Sequence, residues 1–88
     1  MKLTKNRHAW LKLLATGERP SRNRSNVGFS CMRAGWSEWN YRSTDGEEMT
    51  GDEARARYGD RWWDHVRIHG ERLTEAGRLV LDEADDDA

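Results

Sequence analysis

Five tryptophans stand in a chain of 88 residues in which hydrophobic and charged residues each account for 35% of the positions. A domain of this length buries a modest fraction of its surface and is only marginally stable. Each indole buries as much area as several small aliphatic side chains. The five lie in three separate segments, at Trp10, Trp36, Trp39, Trp62 and Trp63. We therefore expect one folded domain whose core joins the three segments, since disordered chains are poor in such residues.

Charge is divided unevenly along the chain, although the overall net charge is only −1. Residues 1–37 carry eight Lys and Arg against one Glu, a net charge of +7, and residues 38–88 carry a net charge of −8. A basic segment suits an anionic partner. Alternatively, the two halves neutralise each other, and the sequence leaves both interpretations open.

Cys31 is the only cysteine, so the chain has no internal disulfide. We interpret it as a small buried hydrophobic residue. The sequence shows no secretory signal and no apolar stretch of membrane-spanning length. We therefore expect a cytoplasmic protein without a membrane partner.

The first predicted helix begins after Thr4, a good N-cap, and ends at Gly17, which suits the left-handed C′ position. Trp10, Leu13 and Leu14 recur at helical spacing and predict its buried face. A second helix is predicted from Ser25 or Asn26 to Gly35. The spacing of Phe29 and Met32 predicts a short buried stripe on it.

Two aromatic segments alternate with a period of two and predict strands, at 36–42 and 62–69. We expect these strands to pair antiparallel. Between them, Asp45-Gly46 is a strong turn signal. Thr50 and Glu53 have the spacing of a capping box, which predicts a short surface helix ending near Gly59.

The last predicted helix follows Thr74, a second good N-cap. Ala76, Leu79 and Val80 have the helical spacing of an inward face. We assign residues 1–84 to one domain and residues 85–88 to an acidic, disordered tail.

Two short motifs in this order of elements resemble the winged helix-turn-helix family. In many such domains a helix ends in glycine before an aromatic or apolar residue, as at 32–36, and the chain returns through a Thr-x-x-Gly-Arg motif, as at 73–78. The resemblance implies a small α+β domain with about three helices packed on a two-stranded antiparallel wing. The chain departs from the family in two places: only 17 residues separate Gly17 from Gly35, and about 20 residues join the wing strands.

The resemblance implies DNA binding, as in a small bacterial or phage transcriptional regulator or a mobile-element accessory protein. It places residues 22–26 on the approach to the recognition helix and on its first turn. Arginine alternates there with side chains that hydrogen-bond to phosphates or base edges. The predicted DNA-binding residues are Arg19, Arg22, Asn23, Arg24, Ser25 and Asn26, with Lys5 and Arg33 as phosphate contacts. The alternative is that residues 18–26 form an ordinary solvated loop.

A second hypothesis is a protein-interaction module with an exposed aromatic face made of Trp39, Tyr41 and Trp63, used for a protein partner or for self-association. These side chains are alternatively part of the core. His65 and His69 would lie about 13 Å apart on one strand, too far to share a metal ion. No pattern of catalytic, cofactor-binding or metal-binding residues stands out, so we expect neither an enzyme nor a small-molecule substrate.

Overall fold

A computed structural model describes residues 2–18 and 26–86. These residues form α1 (Lys5–Ala15), α2 (Asn26–Arg33), β1 (Ser37–Ser43), β2 (Glu48–Met49), α3 (Gly51–Tyr58), a 3-10 segment (Gly59–Asp64), β3 (Val66–Leu73) and α4 (Glu75–Asp86). The strands form one antiparallel sheet in the order β2-β1-β3. The small α+β domain is as predicted. Its described part has four α-helices and three strands, however, where the winged-helix resemblance implies about three helices and a two-stranded wing.

The ends of α1 and α2 agree with the sequence predictions. Thr4 caps α1 by accepting a hydrogen bond from the Arg7 N–H at 3.2 Å. At the end of α2, Gly35 has φ of +80° and the Trp36 N–H donates to the Cys31 carbonyl at 2.9 Å. This is the Schellman arrangement, in which glycine takes the left-handed position and the chain leaves the helix at a fixed angle. It directs the chain straight into β1.

The buried faces of the first two helices differ from the prediction. Leu11 and Leu14 are buried in α1, whereas Leu13 is 39% exposed. In α2, Cys31 is fully buried, whereas Phe29 is 42% exposed. Both sequences have apolar residues on more than one side, and packing against α4 and β1 selects the face that turns inward.

The predicted antiparallel pairing of the two long strands is confirmed, but the second strand begins later than predicted. Trp62 and Trp63 belong to the 3-10 segment, and β3 runs from Val66 to Leu73. The strand continues beyond the predicted end, and its pairing with β1 crosses a β-bulge. Two β3 residues, His69 and Gly70, lie opposite Asn40 alone, and Gly70 has φ of +86°, which glycine adopts without strain.

The connection between β1 and β3 contains the predicted turn and the predicted helix. Gly46 has φ of +86° in the turn, and a short strand, β2, follows it where the sequence predicts only a loop. The capping box of α3 is complete. The Glu53 N–H donates to the Thr50 hydroxyl and the Thr50 N–H donates to the Glu53 carboxylate, both at 3.1 Å.

The last helix is capped by Thr74, as predicted, since the Gly77 N–H donates to the Thr74 hydroxyl at 3.0 Å. Its buried residues are Gly77 and Leu81, whereas Leu79, predicted to point inward, is 58% exposed. The reason is the close approach at Gly77, where a Cβ would lie 1.9 Å from the Trp36 carbonyl oxygen. That contact fixes the rotation of α4.

Two other predictions about this last part of the chain also differ from the structure. Ala76, predicted to point inward, is exposed. Asp85 and Asp86, predicted as part of a disordered tail, are the last residues of α4. Residues 87–88 of that predicted tail lie outside the described residues.

The described residues bury two separate groups of hydrophobic side chains. We call the first the helical cluster; it contains Leu11, Cys31, Trp36 and Leu81. We call the second the sheet-end cluster; it contains Met49, Ala54 and Val66, with Tyr41, Tyr58 and Trp62 packed against them. The first joins the helices to the start of the sheet, and the second supports the far end of the sheet.

Two fully buried polar side chains, Glu71 and Asn40, form hydrogen bonds with specific partners. The Glu71 side chain is fully buried and accepts a hydrogen bond from the Trp10 indole at 2.9 Å. Asn40, at the bulge, is also fully buried; it donates to Glu48 at 2.6 Å and accepts from Arg72 at 3.1 Å. The Asn40 bonds link β1 to both neighbouring strands and the Glu71 bond links β3 to α1, and each is favoured because a buried polar group without a partner is costly.

Candidate nucleic-acid interface

A surface depression of about 290 Å³ lies between the start of α1 and one side of α2, from Asn26 to Arg33, and we call it the helix-start groove. Its lining residues are Thr4, Asn6, Arg7, Asn26, Val27, Ser30 and Arg33. Among these described residues none is acidic, and most of their side chains are hydrogen-bond donors. The groove is therefore suited to an anion.

Arg7 joins the two helices at this groove. Its Nε donates to the Ser30 hydroxyl at 3.0 Å, and one terminal nitrogen donates to the Lys2 carbonyl at 2.6 Å. The Ser30 hydroxyl in turn donates to the Val27 carbonyl at 2.7 Å. These bonds use two of the five N–H donors of the guanidinium and hold its plane in a fixed orientation. The positive charge at the groove is thus pre-positioned.

The helix termini add to the positive potential of the groove. Neither α1 nor α2 has an acid in its first turn, whereas α3 begins with Asp52 and Glu53 and α4 begins with Glu75. Acids in the first turn neutralise the positive end of a helix dipole. Lys5 and Arg7 instead stand near the start of α1. The two helices that border the groove are thus the two without a neutralising acid.

The structure brings some of the predicted DNA-binding residues together. Asn26 and Arg33 line the helix-start groove, and Lys5 is exposed on the first turn of α1 between two lining residues. Five other predicted residues, Arg19, Arg22, Asn23, Arg24 and Ser25, lie outside the described residues. Arg7 was not among the predicted site residues. The signal for it was a basic residue near the helix start, where positive charge is unfavourable without an anionic partner.

A second and larger depression, of about 540 Å³, lies at the end of the sheet where β1 ends and β3 begins. We call it the strand-end cleft. It is lined by Arg42, Ser43, Thr44, Trp63, Asp64, His65, Val66 and Arg67. Sequence reasoning did not group these residues, because the register of β1 with β3 is what brings them together.

Basic, acidic and aromatic side chains together line the strand-end cleft. Arg42 lies directly opposite Arg67 in the strand pair, and the Arg42 Nε donates to the Gly46 carbonyl at 3.3 Å. Trp63 is 59% exposed. Asp64, the acid of the cleft, pairs with Arg61 at 2.9 Å. The cleft therefore combines two guanidinium groups with a large exposed indole.

The three residues of the predicted aromatic face do not form one patch. Trp39 and Tyr41 are half-buried and line a shallow depression beside the start of α3, whereas Trp63 lines the strand-end cleft. Trp39 meets the Phe29 ring edge-on with centroids 6.4 Å apart. Tyr41 meets Trp62 in the same way at 5.0 Å, and burial raises the pKa of its hydroxyl.

Groups with metal-binding or nucleophilic chemistry do not converge in the described residues. Within residues 2–18 and 26–86, no three His, Cys, Asp or Glu side chains are placed to hold a metal ion. Burial, and secondarily the charge of Glu71, raises the pKa of Cys31 to about 11, so the thiol is protonated at neutral pH. In the same ranges no helix has the length and apolar character needed to cross a membrane.

Comparisons of the chain with protein-family models, with curated proteins and with solved structures found no match. The predicted resemblance to the winged-helix family gains no support from these comparisons and remains a prediction from two sequence motifs. The helix-start groove and the strand-end cleft are defined by geometry and charge alone.

Proposed function

We propose that the protein binds double-stranded DNA through the helix-start groove. The observation that carries the proposal is that Arg7 and Arg33 line a groove with no acid among its described lining residues, while Lys5 is exposed on the first turn of α1. Salt-dependent contacts between cations and phosphates supply most of the affinity of such interfaces. Asn6 and Asn26 add donors that can reach phosphate or base edges.

The dimensions of α2 suit this role. Asn26 and Arg33 are seven residues apart, two helical turns, so they share one side of the helix about 10 Å apart. Successive nucleotides of one DNA strand rise about 3.4 Å along the duplex axis, so that distance covers about three of them. In this proposal α2 takes the place of a winged-helix recognition helix, and β1 with β3 takes the place of the wing.

The experiment is a measurement of the dissociation constant for duplex DNA by fluorescence anisotropy at several salt concentrations. Replacing both Lys5 and Arg33 with alanine should weaken binding and reduce the slope of log affinity against log salt by about two, since each neutralised phosphate contributes about 0.9. Arg7 is left in place because its hydrogen bonds hold α1 to α2.

The matched control replaces Arg55 and Arg78, which are exposed on α3 and α4, with alanine. This variant loses the same two charges away from the groove and should keep the wild-type slope. If both variants change the slope equally, binding is not located at the helix-start groove and the proposal fails.

A protein-interaction surface is the second candidate function. It is favoured by the exposed ring of Phe29 against Trp39, which leaves apolar surface beside α2. This hypothesis predicts self-association at high protein concentration that a Trp39→Ala change abolishes. Sedimentation of the folded wild-type protein as a monomer at every concentration would reject self-association through this surface.

A further inference from the structure

We propose that the strand-end cleft binds one unpaired nucleotide of a nucleic-acid strand, with the base stacked on Trp63 and its phosphate held between Arg42 and Arg67. The inference deepens the proposed function and rests on it for the presence of a nucleic acid near the protein. It assigns a second contact, to a single strand, at the other end of the sheet from the helix-start groove.

The exposed indole is the first support for this site. Trp63 is 59% exposed, although hydrophobic residues make up only 35% of the chain. Its neighbour Trp62 meets it edge-on with centroids 6.0 Å apart, and Trp62 in turn packs against Tyr41. An aromatic ring supported in this way is a stacking platform for any base, because every base has a π face.

The two arginines are the second support. Arg42 and Arg67 are both exposed and directly opposite each other, an arrangement in which like charges repel across the strands. Glu48 lies opposite Arg42 on its other side. An anion bound between the two guanidinium groups would relieve the repulsion, and arginine matches phosphate oxygens with paired N–H donors.

The size and charge of the cleft indicate which nucleotide it takes. A volume of about 540 Å³ lies within the range of small-ligand sites and accommodates one nucleotide. Asp64 lies in the cleft, and its pairing with Arg61 only partly removes its charge. The negative charge of this carboxylate repels the several charges of a nucleoside triphosphate more strongly than the single charge of a phosphate within a nucleic-acid strand. The site therefore suits a nucleotide within a strand.

The test follows the indole N–H signal of Trp63 by NMR, assigned with a Trp63→Phe variant. The probes are a single-stranded oligothymidylate of about ten nucleotides, the same length of abasic strand, and thymidine monophosphate. The oligothymidylate should shift the Trp63 signal. Replacing Trp63 with alanine, or Arg67 with glutamine, should each weaken its binding about tenfold.

Two matched controls remove similar groups outside the cleft. Leu79→Ala deletes another exposed apolar side chain and Arg55→Gln removes another exposed arginine, and both should bind the strand like the wild type. Equal binding of the abasic strand would overturn the proposal, because no base would then be recognised. Unchanged affinity in the Trp63→Ala variant, or tighter binding of the monophosphate than of the strand, would overturn it too.

The two proposals can fail separately. Lys5 and Arg33 replacements test the helix-start groove with blunt duplex DNA, and Trp63 and Arg67 replacements test the cleft with single strands. If the duplex experiment fails but the Trp63-dependent binding of the strand is observed, the cleft assignment stands without the duplex function. If duplex binding is confirmed and the strand leaves the Trp63 signal unchanged, the cleft assignment is rejected alone.

Discussion

The helical cluster and the sheet-end cluster are small cores that differ in how far apart along the chain their members lie. The helical cluster joins Leu11 in the first helix to Leu81 in the last. The sheet-end cluster draws its members from residues 41–66 only. Contacts between residues far apart in the sequence hold the two ends of the chain together, whereas contacts between residues near in the sequence hold only one segment together. The first cluster therefore holds the fold together, and the second shapes the end of the sheet.

The location of the two candidate sites follows the same division. The helix-start groove lies on α1 and α2, which contribute Leu11 and Cys31 to the helical cluster. The strand-end cleft is built on Val66, a member of the sheet-end cluster. A local cluster can open without unfolding the rest of the molecule. We therefore expect the cleft to be the more adaptable of the two sites.

The largest expected effect is at the close contact that seals the helical cluster. In a Gly77→Ala variant, the new Cβ would lie 1.9 Å from the Trp36 carbonyl oxygen, so α4 must move away from the start of the sheet. We expect a loss of about 4 kcal/mol in the free energy of unfolding, or loss of the fold, measured by urea denaturation.

The control for this prediction is the neighbouring position. Ala76 is exposed on the same helix, and Ala76→Gly should cost only about 1 kcal/mol through helix propensity. A Gly77→Ala protein as stable as the wild type would show that α4 can slide, and that the helical cluster does not depend on this contact.

Truncation of one buried side chain in each cluster compares the two directly. Leu11 and Met49 are both buried, and replacing such a residue with alanine costs about 2–5 kcal/mol in well-packed cores. We expect about 3 kcal/mol for Leu11→Ala and about 2 kcal/mol for Met49→Ala, because the smaller cluster can collapse around the cavity. Urea denaturation gives both values.

Amide hydrogen exchange then shows where each variant opens. Met49→Ala should speed exchange in α3 and leave α1 and α4 protected, whereas Leu11→Ala should speed exchange everywhere. Equal acceleration in all helices of both variants would mean that the two clusters unfold as one unit.

The features that the sequence predicted well are those set by neighbouring residues. The caps at Thr4, Thr50 and Thr74, and the turn glycines Gly35 and Gly46, all act over three to five residues. Such signals depend little on the rest of the fold. The pairing of the two long strands was predicted instead from the period-two alternation of aromatic residues, and the small α+β domain from the winged-helix resemblance.

The features that the sequence did not predict depend on distant contacts. Leu13, Phe29 and Leu79 each lie at helical spacing from other apolar residues of their own helix. The residues that determine which face is buried, however, come from other elements. Trp62 and Trp63 alternate like strand residues, yet the 3-10 segment lets Trp62 pack against Tyr41. The hydrophobic periodicity of the sequence alone cannot show which side of a helix is buried, nor distinguish a strand from a 3-10 segment.

The candidate sites show the same limit. The basic character of the first 37 residues is visible in the sequence, and two of the residues predicted there as DNA contacts, Asn26 and Arg33, line the helix-start groove. The strand-end cleft has no local signal. Arg42 and Arg67 are 25 positions apart, and only the β1–β3 register places them opposite each other.

Removal of a helix cap should have a smaller effect that again differs between the regions. Thr50→Ala leaves the Glu53 N–H without its acceptor and should cost about 1 kcal/mol. Because α3 belongs to the sheet-end cluster, amide exchange should rise in α3 alone. Thr4→Ala removes the equivalent bond to Arg7 in α1 and should instead lower the stability of the whole domain. The same pattern of amide exchange in both variants would contradict the conclusion that the helical cluster and the sheet-end cluster open independently.

The smallest expected effect is the response of each cluster to alkaline pH. Burial raises the pKa of Cys31 from 9.0 to about 11, and burial also raises the pKa of Tyr41 above 10.0. Above the ordinary pKa the unfolded side chain ionises while the folded one stays neutral, so stability is full below that pH and declines as pH rises. Cys31→Ala should therefore flatten the decline between about pH 9 and pH 11, whereas Tyr41→Phe should flatten it only above about pH 10. Urea denaturation at pH 7, 9, 10 and 11 measures both, and a decline that starts at the same pH in both variants would mean that the two buried groups do not titrate separately.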